Sequence, residues 1–419
     1  MDFRASVDQR LADGSALRVA APVEPDAIPA AIADEERGAN RALVFERVAG
    51  IGGPVVGNFY GDARRVRAAL GARDDAELFV RYDAAAAAPR ALVQRPRSSA
   101  DWESEAAPDL RARLPAIRHS ADDATAYLMS GILLARHPDH GRHHLCFVRA
   151  AMVGGDRLVV NPATARVREI IERTVAAGRE LPAALLVGAP AEVTLAACVT
   201  APAGVDKLAI AQALAGDVLA YSDDLLPLPL ATEVALVGRI VPAWEREGPV
   251  GDQKGLYSVR DRNPVFVADE LRVRKDPRFH VIAGGVSAEH VELVTLGPRA
   301  VLERIRRTTP GLLDYRLPRF AGGRLGVLVV DDGFDPRRIV DTLWSISSVR
   351  GFVAVNRDVD PSLPAEVLWS IVERAGSSER FAFAGPGTAG VKPGKFLIDA
   401  TEGDLADWNH RRIAVRRPG

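Results

Sequence analysis

The stretch EREGPVGDQKGLYS, residues 245–258, sets two carboxylates, Glu247 and Asp252, on either side of a Gly-Pro-x-Gly turn and follows them with Lys254 and Gly255. Gly248, Pro249 and Gly251 bend the backbone, so the two acids do not belong to a helix face. Carboxylates held by a stiff backbone suit general acid–base chemistry. The alternative is a pair of solvated loop charges, the commoner fate of acidic residues. What surrounds the loop decides between the two.

The chain of 419 residues is long enough for two or three domains. Its 47% hydrophobic content can fill substantial cores. Basic and acidic residues balance at 54 against 55, for a net charge of -1, which argues against a general nucleic-acid binder. Cys146 and Cys198 are too few for a disulfide framework. The segment MDFRASVDQRLADGS has no apolar signal-peptide region, and no run approaches the ~18 apolar residues of a membrane span. A soluble, cytoplasmic protein is expected, with no nucleic-acid or membrane partner.

Outward from the loop, the pattern changes along the chain. The first ~70 residues alternate helix and strand. DAIPAAIADEER has helical spacing, RALVFERVAG and GPVVGNFYG are short apolar runs closed by glycines, and DARRVRAALG is a helix capped by Asp62 and Gly71. Residues 84–108 collect Ala, Pro and Ser and read as a boundary or linker. From about 119 to 295 short strands dominate: HHLCFVRAAMV, RLVVNP, AALLVGAP, EVALVGRIV and HVIAGG, interrupted by the helix VDKLAIAQALAG. After about 296 the alternation returns, with helix PRAVLERIRRT, strand RLGVLVVDD, helix DPRRIVDTLWSI, strand GFVAVNRDVD and helix LPAEVLWSIVERA. This is an α/β pattern with parallel strand neighbours. The likeness of DPRRIVDTLWSI to DPSLPAEVLWSI reflects similar βα units, since a solenoid needs at least three repeats.

Several single residues stand out. Arg149 lies in the apolar strand LCFVRAAMV. It either points to water at an edge or turns inward, where its fork grips a carboxylate. RHPDHGRHH invites a zinc hypothesis, but Pro138, Asp139 and Gly141 make it a turn, and no Cys or Glu completes a tetrahedral site. His137, His140 and His143 therefore read as surface residues, whereas His144 enters the strand. Glu233 has apolar neighbours, and an ionised glutamate there needs an ion partner or a cation. No Walker A motif occurs; VAGIGG (48–53) is no dinucleotide fingerprint, and GGVSAEH (284–290) reads as a plain loop.

Taken together, the chain resembles the UbiD family of prenylated-FMN-dependent reversible decarboxylases over nearly its whole length. ALVFERVAGIGGPVVGNFYG is similar to the family's N-terminal segment. Residues 107–158 are similar to the entry into its cofactor domain, with the strand-borne arginine. EGPVGD resembles the Glu-Gly-Pro-x-Gly-acid loop, and FVAVNRDVDPSLPAEVLWSIVERA and KFLIDAT resemble the C-terminal domain. The resemblance implies a Glu-Arg-acid network beside the flavin. Arg149 would grip the substrate carboxylate, Glu247 would hold Arg149, and Asp252 would deliver the proton that replaces carbon dioxide. Asp at that place, in contrast to the Glu of ferulate-type enzymes, shortens the reach by one methylene. The modified flavin would act as the electron sink.

The anchoring half departs from the family pattern, in which an Asn, a His and a Glu hold a divalent metal on the cofactor phosphate. The resemblance puts His144 at the Asn place, Arg166 near the His place and Glu233 at the Glu place, with Ala197 and Cys198 where small hydroxyl residues meet the cofactor. His144, Arg166, Cys198 and Glu233 are thus the expected cofactor-binding residues, and Glu233 the one remaining metal ligand. Arg166 is expected to pair with Glu233 where manganese would sit, leaving little or no bound metal. The expected fold is α/β (α+β): an N-terminal α/β domain (1–105), a central split β-barrel for prenylated FMN (106–295) and a C-terminal α/β dimerisation domain (296–419). The implied function is non-oxidative, reversible decarboxylation of an aromatic, heteroaromatic or α,β-unsaturated carboxylic acid. The implied partners are that acid, carbon dioxide, a prenyl-FMN synthase and a second copy of the chain. The alternative is a non-catalytic homologue, or a subunit of a larger carboxylase, that has lost cofactor anchoring.

Overall fold

The computed structural model describes residues 2–385, 394–402 and 405. Parts of the expected C-terminal domain (386–393, 403–404 and 406–419) lie outside the described residues. The chain divides into two compact units, Met1–Leu293 and Val294–Gly419.

The first unit is built around a closed barrel of six antiparallel strands. Its order is Val234–Gly251, Leu181–Val187, Tyr127–Arg136, His143–Gly154, Arg157–Pro162 and Tyr257–Arg274, the last strand pairing back onto the first. Closure removes free sheet edges. Alternate residues of the strands, including Cys146, Val148, Ala150, Leu185 and Leu236, fill the barrel core. The helix Ala165–Ala176 buries Val167, Ile170, Ile171 and Val175 in that core, at the spacing of one helical face. On the outer face, Leu145 and Leu186 pack with residues of the helices Ala191–Cys198 and Lys207–Ala215. The fold expected from the sequence, mixed α/β around a central barrel, is the one observed.

A second sheet of this unit orders Ala16–Val19, Ala42–Phe45, Val55–Gly57 and Phe279–Val281. Its last strand comes from beyond the barrel and runs parallel to Val55–Gly57. The stretch HVIAGG is therefore a strand, as its composition predicts, but it returns to the N-terminal sheet. Residues 84–108 are more ordered than a linker. The alanine run continues the helix Asp75–Ala87, capped by the Asp74 carboxylate on the Glu77 N–H; alanine is the best helix former. Trp102–Ala106 then adds a strand to Tyr257–Arg274.

The second unit holds a five-stranded sheet, ordered Leu312–Arg316, Leu325–Val330, Gly351–Asn356, Phe396–Ala400 and Phe381–Phe383. The three inner strands are parallel and both edges antiparallel. The two similar segments form a 3-10 turn with the short helix Val340–Trp344, and the longer helix Pro364–Arg374. The helix predicted from Pro298 onward starts earlier, at Ala288.

Candidate active site

Two long strands, Val234–Gly251 and Tyr257–Arg274, form a hairpin whose tip carries the opening loop. The Gly248–Pro249 peptide is cis. Gly248 has a φ of 94°, and a side chain there would run into the Ser258 carbonyl oxygen, so the position takes only glycine. The loop is tied down from outside. Gly251 N–H donates to Asp123 Oδ1 at 2.8 Å, and Ala124 N–H donates to the Pro249 carbonyl at 2.8 Å. The other oxygen of Asp123 accepts from the His119 and Ser120 amides at 2.8 and 3.0 Å.

This frame brings Glu247, Asp252 and Arg149 together. Arg149 Nε and Nη2 donate to the two oxygens of Glu247 at 2.5 and 2.9 Å, and Nη1 donates to Asp252 Oδ2 at 3.1 Å. Nη2 also reaches Ser258 Oγ at 3.3 Å. Glu247 is 1% exposed, and Asn263 Nδ2 donates to it at 2.6 Å. Asn263 Oδ1 in turn accepts from Arg168 Nη2 at 3.2 Å, as does Asn161 Oδ1, directly across the sheet from Arg149, at 2.5 Å. Burial works against the Arg149 charge. The Glu247 hydrogen bonds and then the Glu247 and Asp252 charges outweigh it and hold the guanidinium pKa above its ordinary value. Lys254 places Nζ 3.9 Å from Asp252 Oδ2, and its amide donates to Oδ1 at 3.1 Å. Arg149 thus points inward, and the two acids are not solvated loop charges.

Sequence reasoning missed four residues around this cluster. Asn263 holds Glu247. Tyr127 is buried with a hydroxyl that meets no hydrogen-bond partner among the described residues. Burial and then the Glu247 charge push its phenol upward. His290 Nδ1 binds the Gly285 carbonyl oxygen at 2.9 Å. Burial lowers the His290 pKa, and the nearby Asp252 and Arg149 charges act on it with opposite signs. His119 donates from Nε2 to the Tyr127 carbonyl at 3.1 Å and accepts the Gly284 N–H on Nδ1 at 3.2 Å. Only His290 carried a signal, its place in the glycine-rich GGVSAEH.

The expected anchoring residues do not converge. His144 and Arg166 line one cavity with His137, His140, Arg142 and Arg173. His143 is held by Asp206, its Nδ1 2.8 Å from Oδ2. Cys198 ends the helix Ala191–Cys198, where burial pushes its thiol up to about 12. Glu233 is elsewhere engaged. Its oxygens accept from Arg4 at 3.1 and 2.9 Å, from Arg274 at 3.3 Å and from the Arg278 amide at 3.0 Å. The expected pairing of Arg166 with Glu233 is therefore corrected: two arginines that the sequence does not place nearby satisfy that carboxylate, and Glu233 does not line the His144 cavity. Around His144 the donor set does not suit a divalent cation. Its charged neighbours are Arg166 and Lys207, and among the described residues no group of three or more His, Cys, Asp or Glu side chains could hold a metal.

Comparison with known proteins follows the same outline. Three models of the 3-octaprenyl-4-hydroxybenzoate carboxy-lyase family match in order: the N-terminal domain over residues 7–82, the Rift-related domain over 92–287 and the C-terminal domain over 292–388. A characterised relative, the anhydromevalonate phosphate decarboxylase of Aeropyrum pernix, is 27% identical over 339 residues, covering 79% of this chain and 76% of the relative. An evolved dimeric form of the UbiD-class enzyme HmfF from Pelotomaculum thermopropionicum, solved with prFMN, superposes with a TM-score of 0.87 at 27% identity, covering 99% of this chain and 97% of that one. The 3,4-dihydroxybenzoic acid decarboxylase of Klebsiella pneumoniae shares the fold, with a TM-score of 0.84 at 20% identity and coverage of 100% and 97%. Among the described residues no helix is long and apolar enough to cross a membrane.

Proposed function

The chain belongs to the UbiD family of carboxy-lyases, and from that premise we propose that it decarboxylates an aromatic, heteroaromatic or α,β-unsaturated carboxylic acid reversibly and without net oxidation, using prenylated FMN. The observation that carries this reading is the buried Glu247–Arg149–Asp252 cluster on a rigid hairpin tip. When bound, the cofactor supplies the electron sink for the charge left by departing carbon dioxide. Everything else falls to the chain.

Glu247 takes one edge of the Arg149 guanidinium and fixes its plane. Asp252 holds only Nη1, the group most easily given up to a competing anion. A substrate carboxylate arriving at Nη1 replaces Asp252 there. The released Asp252, with Lys254 Nζ still 3.9 Å away, takes a proton from solvent and turns to the substrate carbon. The bond between the carboxylate carbon and the substrate then breaks, carbon dioxide leaves, and its electron pair stays with the substrate carbon. The Asp252 proton forms the new C–H bond, and Asp252 is reprotonated from solvent. Lys254 and His290, within the field of Asp252, bias that proton's return. His144 and Arg166 are assigned to the phosphate end of the cofactor and Cys198 to the wall beside it. Three domains with boundaries near 105 and 295, a prenyl-FMN synthase as supplier and a homodimer complete the proposal.

Co-expression with a prenyl-FMN synthase, an absorbance spectrum of the purified protein and carbon dioxide release from a panel of such acids test it. Arg149→Lys keeps the charge but loses the fork, so it is expected to retain fold and flavin while losing turnover. Near-normal turnover by that variant removes Arg149 from its role, and a cofactor-free, inert protein after co-expression refutes the reading.

A further inference from the structure

The cavity at His144 has a volume of about 180 Å³ and is lined by Arg142, His144, Arg166 and Arg173 together with Glu169 and Gly204. That is below the ~300 Å³ of an ordinary small-molecule pocket, so it takes one chemical group of a ligand. Arg166, Glu169, Ile170 and Arg173 bring one side of the helix Ala165–Ala176 to this cavity. His144 is 7% exposed, and its Nε2 has no hydrogen-bond partner among the described residues.

Behind the wall lies a charge that the sequence does not betray. Lys207 is 6% exposed, yet it opens a helix of apolar residues. Its Nζ donates to the Leu145 carbonyl at 2.9 Å and to the Ala197 carbonyl at 3.4 Å. Among the described residues no carboxylate bonds to it; its charged and titratable neighbours include Cys146, Cys198, Arg166 and His144. A buried ammonium held only by neutral carbonyls is costly unless an anion comes near. The acids around the cavity do not discharge it. Glu169 stands at the rim, exposed as Arg166 is, Asp139 is 3.7 Å from Arg173, and the Asp206 carboxylate is taken by His143 and by the Leu208 and Ala209 amides.

We propose that this cavity, backed by the buried ammonium of Lys207, binds a phosphate monoester directly, with fixed protein cations standing where a divalent metal would otherwise be needed. Arg166 contributes a fork. His144 donates from Nε2 in that tautomer, and Lys207 supplies the interior charge. The inference rests on the cofactor reading above only for the identity of the ester. The phosphate belongs either to the flavin or to a phosphorylated substrate.

The test reads binding, so it is independent of turnover. Purified protein is treated with EDTA and titrated with FMN and with riboflavin, which lacks the phosphate, following flavin fluorescence. FMN is expected to bind at least ~10-fold more tightly, about 1.4 kcal/mol, and added manganese should not improve it. Arg166→Ala and Lys207→Met should each bring FMN toward riboflavin; the exposed Arg166 keeps the test valid if Lys207→Met does not fold. Inorganic phosphate, followed by its ³¹P resonance, separates the two sources. If the flavin phosphate fills the cavity, FMN-loaded protein no longer binds phosphate; if a substrate phosphate does, it still binds, and Arg166→Ala abolishes that binding. Equal affinity for FMN and riboflavin with no phosphate binding in either form overturns the proposal. So does FMN binding that appears only with stoichiometric manganese.

Discussion

Glu247→Gln changes one atom of the cluster and almost none of its shape. Glu247 accepts three hydrogen bonds, and every partner is a donor: Arg149 Nε on one oxygen, Arg149 Nη2 and Asn263 Nδ2 on the other. A glutamine has one acceptor oxygen. Its better orientation keeps that oxygen where two bonds converge and turns its NH2 against the Arg149 Nε–H. One charge-assisted bond is lost, worth about 1.5–3 kcal/mol, and a donor faces a donor in a site where Glu247 is 1% exposed. Breaking a buried pair outright costs about 3–5 kcal/mol, but Asp252 still balances Arg149. The expected destabilisation is therefore about 2–4 kcal/mol, read as a shift in the urea midpoint with an unchanged m value. Activity should fall further than stability implies. With Glu247 neutral, Asp252 is the sole carboxylate on Arg149, and a substrate carboxylate must displace the only counter-charge. Decarboxylation by folded, flavin-loaded Glu247→Gln is expected to drop by about two orders of magnitude or more, in keeping with the loss of a preorganised charge. A variant within about 0.5 kcal/mol of wild type, the range of an ordinary surface change, and with normal turnover would refute the argument.

Asp252→Asn should abolish product formation together with solvent deuterium incorporation at the vacated carbon; undiminished exchange would assign the proton to Lys254 or His290. Glu233→Ala should destabilise the first unit by about 3 kcal/mol, because Arg4 and Arg274 lose a carboxylate that is 0% exposed, while FMN affinity stays within twofold. A drop in flavin affinity matching that of Arg166→Ala would return Glu233 to the anchor. Acid should weaken the fold through His119 and His144, both lowered by burial to about 4 from 6.5. Their contribution is complete above the unfolded value and is lost as the pH falls from 6.5 through about 4, because the unfolded chain takes up protons that the folded one refuses. For His119 the geometry agrees: protonating Nδ1 would set an N–H against the Gly284 amide. Each shift corresponds to about 3 kcal/mol at most, and His119→Gln should flatten the stability profile between pH 6.5 and 4. An unchanged slope in denaturant midpoints would remove His119 as a cause.

Four of the six barrel strands were legible as apolar, bounded runs, among them HHLCFVRAAMV, RLVVNP and the start of the long strand Val234–Gly251, whereas Tyr127–Arg136 and the largely polar Tyr257–Arg274 were not read as strands. The loop at 245–258 was legible for a different reason. Gly248 serves a close approach to backbone ten residues on, a local need that survives in the sequence, whereas Gly251 makes room for the distant Ser120 side chain. Arg149 was legible as a charge in an apolar strand, which obliges a partner, although only the fold shows that Glu247 takes two of its nitrogens. Lost from view were features set by distant contacts. Residues 84–108 looked like a linker because Trp102–Ala106 gains its pairing from a strand more than 160 residues away.

The corrected pairing of Glu233 and the unnoticed Lys207 have one physical cause. Sequence context states that a buried charge needs compensation, and it does not state by what. Glu233 and Lys207 were the extremes of this rule. Glu233, flanked by apolar residues, advertised its need and was matched to the cation position that a resemblance suggested. Its real partners are Arg4, 229 residues away, and Arg274, one residue beyond its hairpin register. Lys207 follows the helix-capping Asp206, an ordinary place for a solvated lysine, so nothing marked it as buried. An uncompensated carboxylate and an uncompensated ammonium each cost several kcal/mol, but among the described residues only the carboxylate bonds to its counter-ions. The lysine is left with neutral carbonyls beside a cavity rimmed by further cations. A fold that tolerates such an excess of positive charge gains stability from any anion that enters, and that linkage predicts a rise in melting temperature with phosphate or FMN in EDTA, which Lys207→Met should remove.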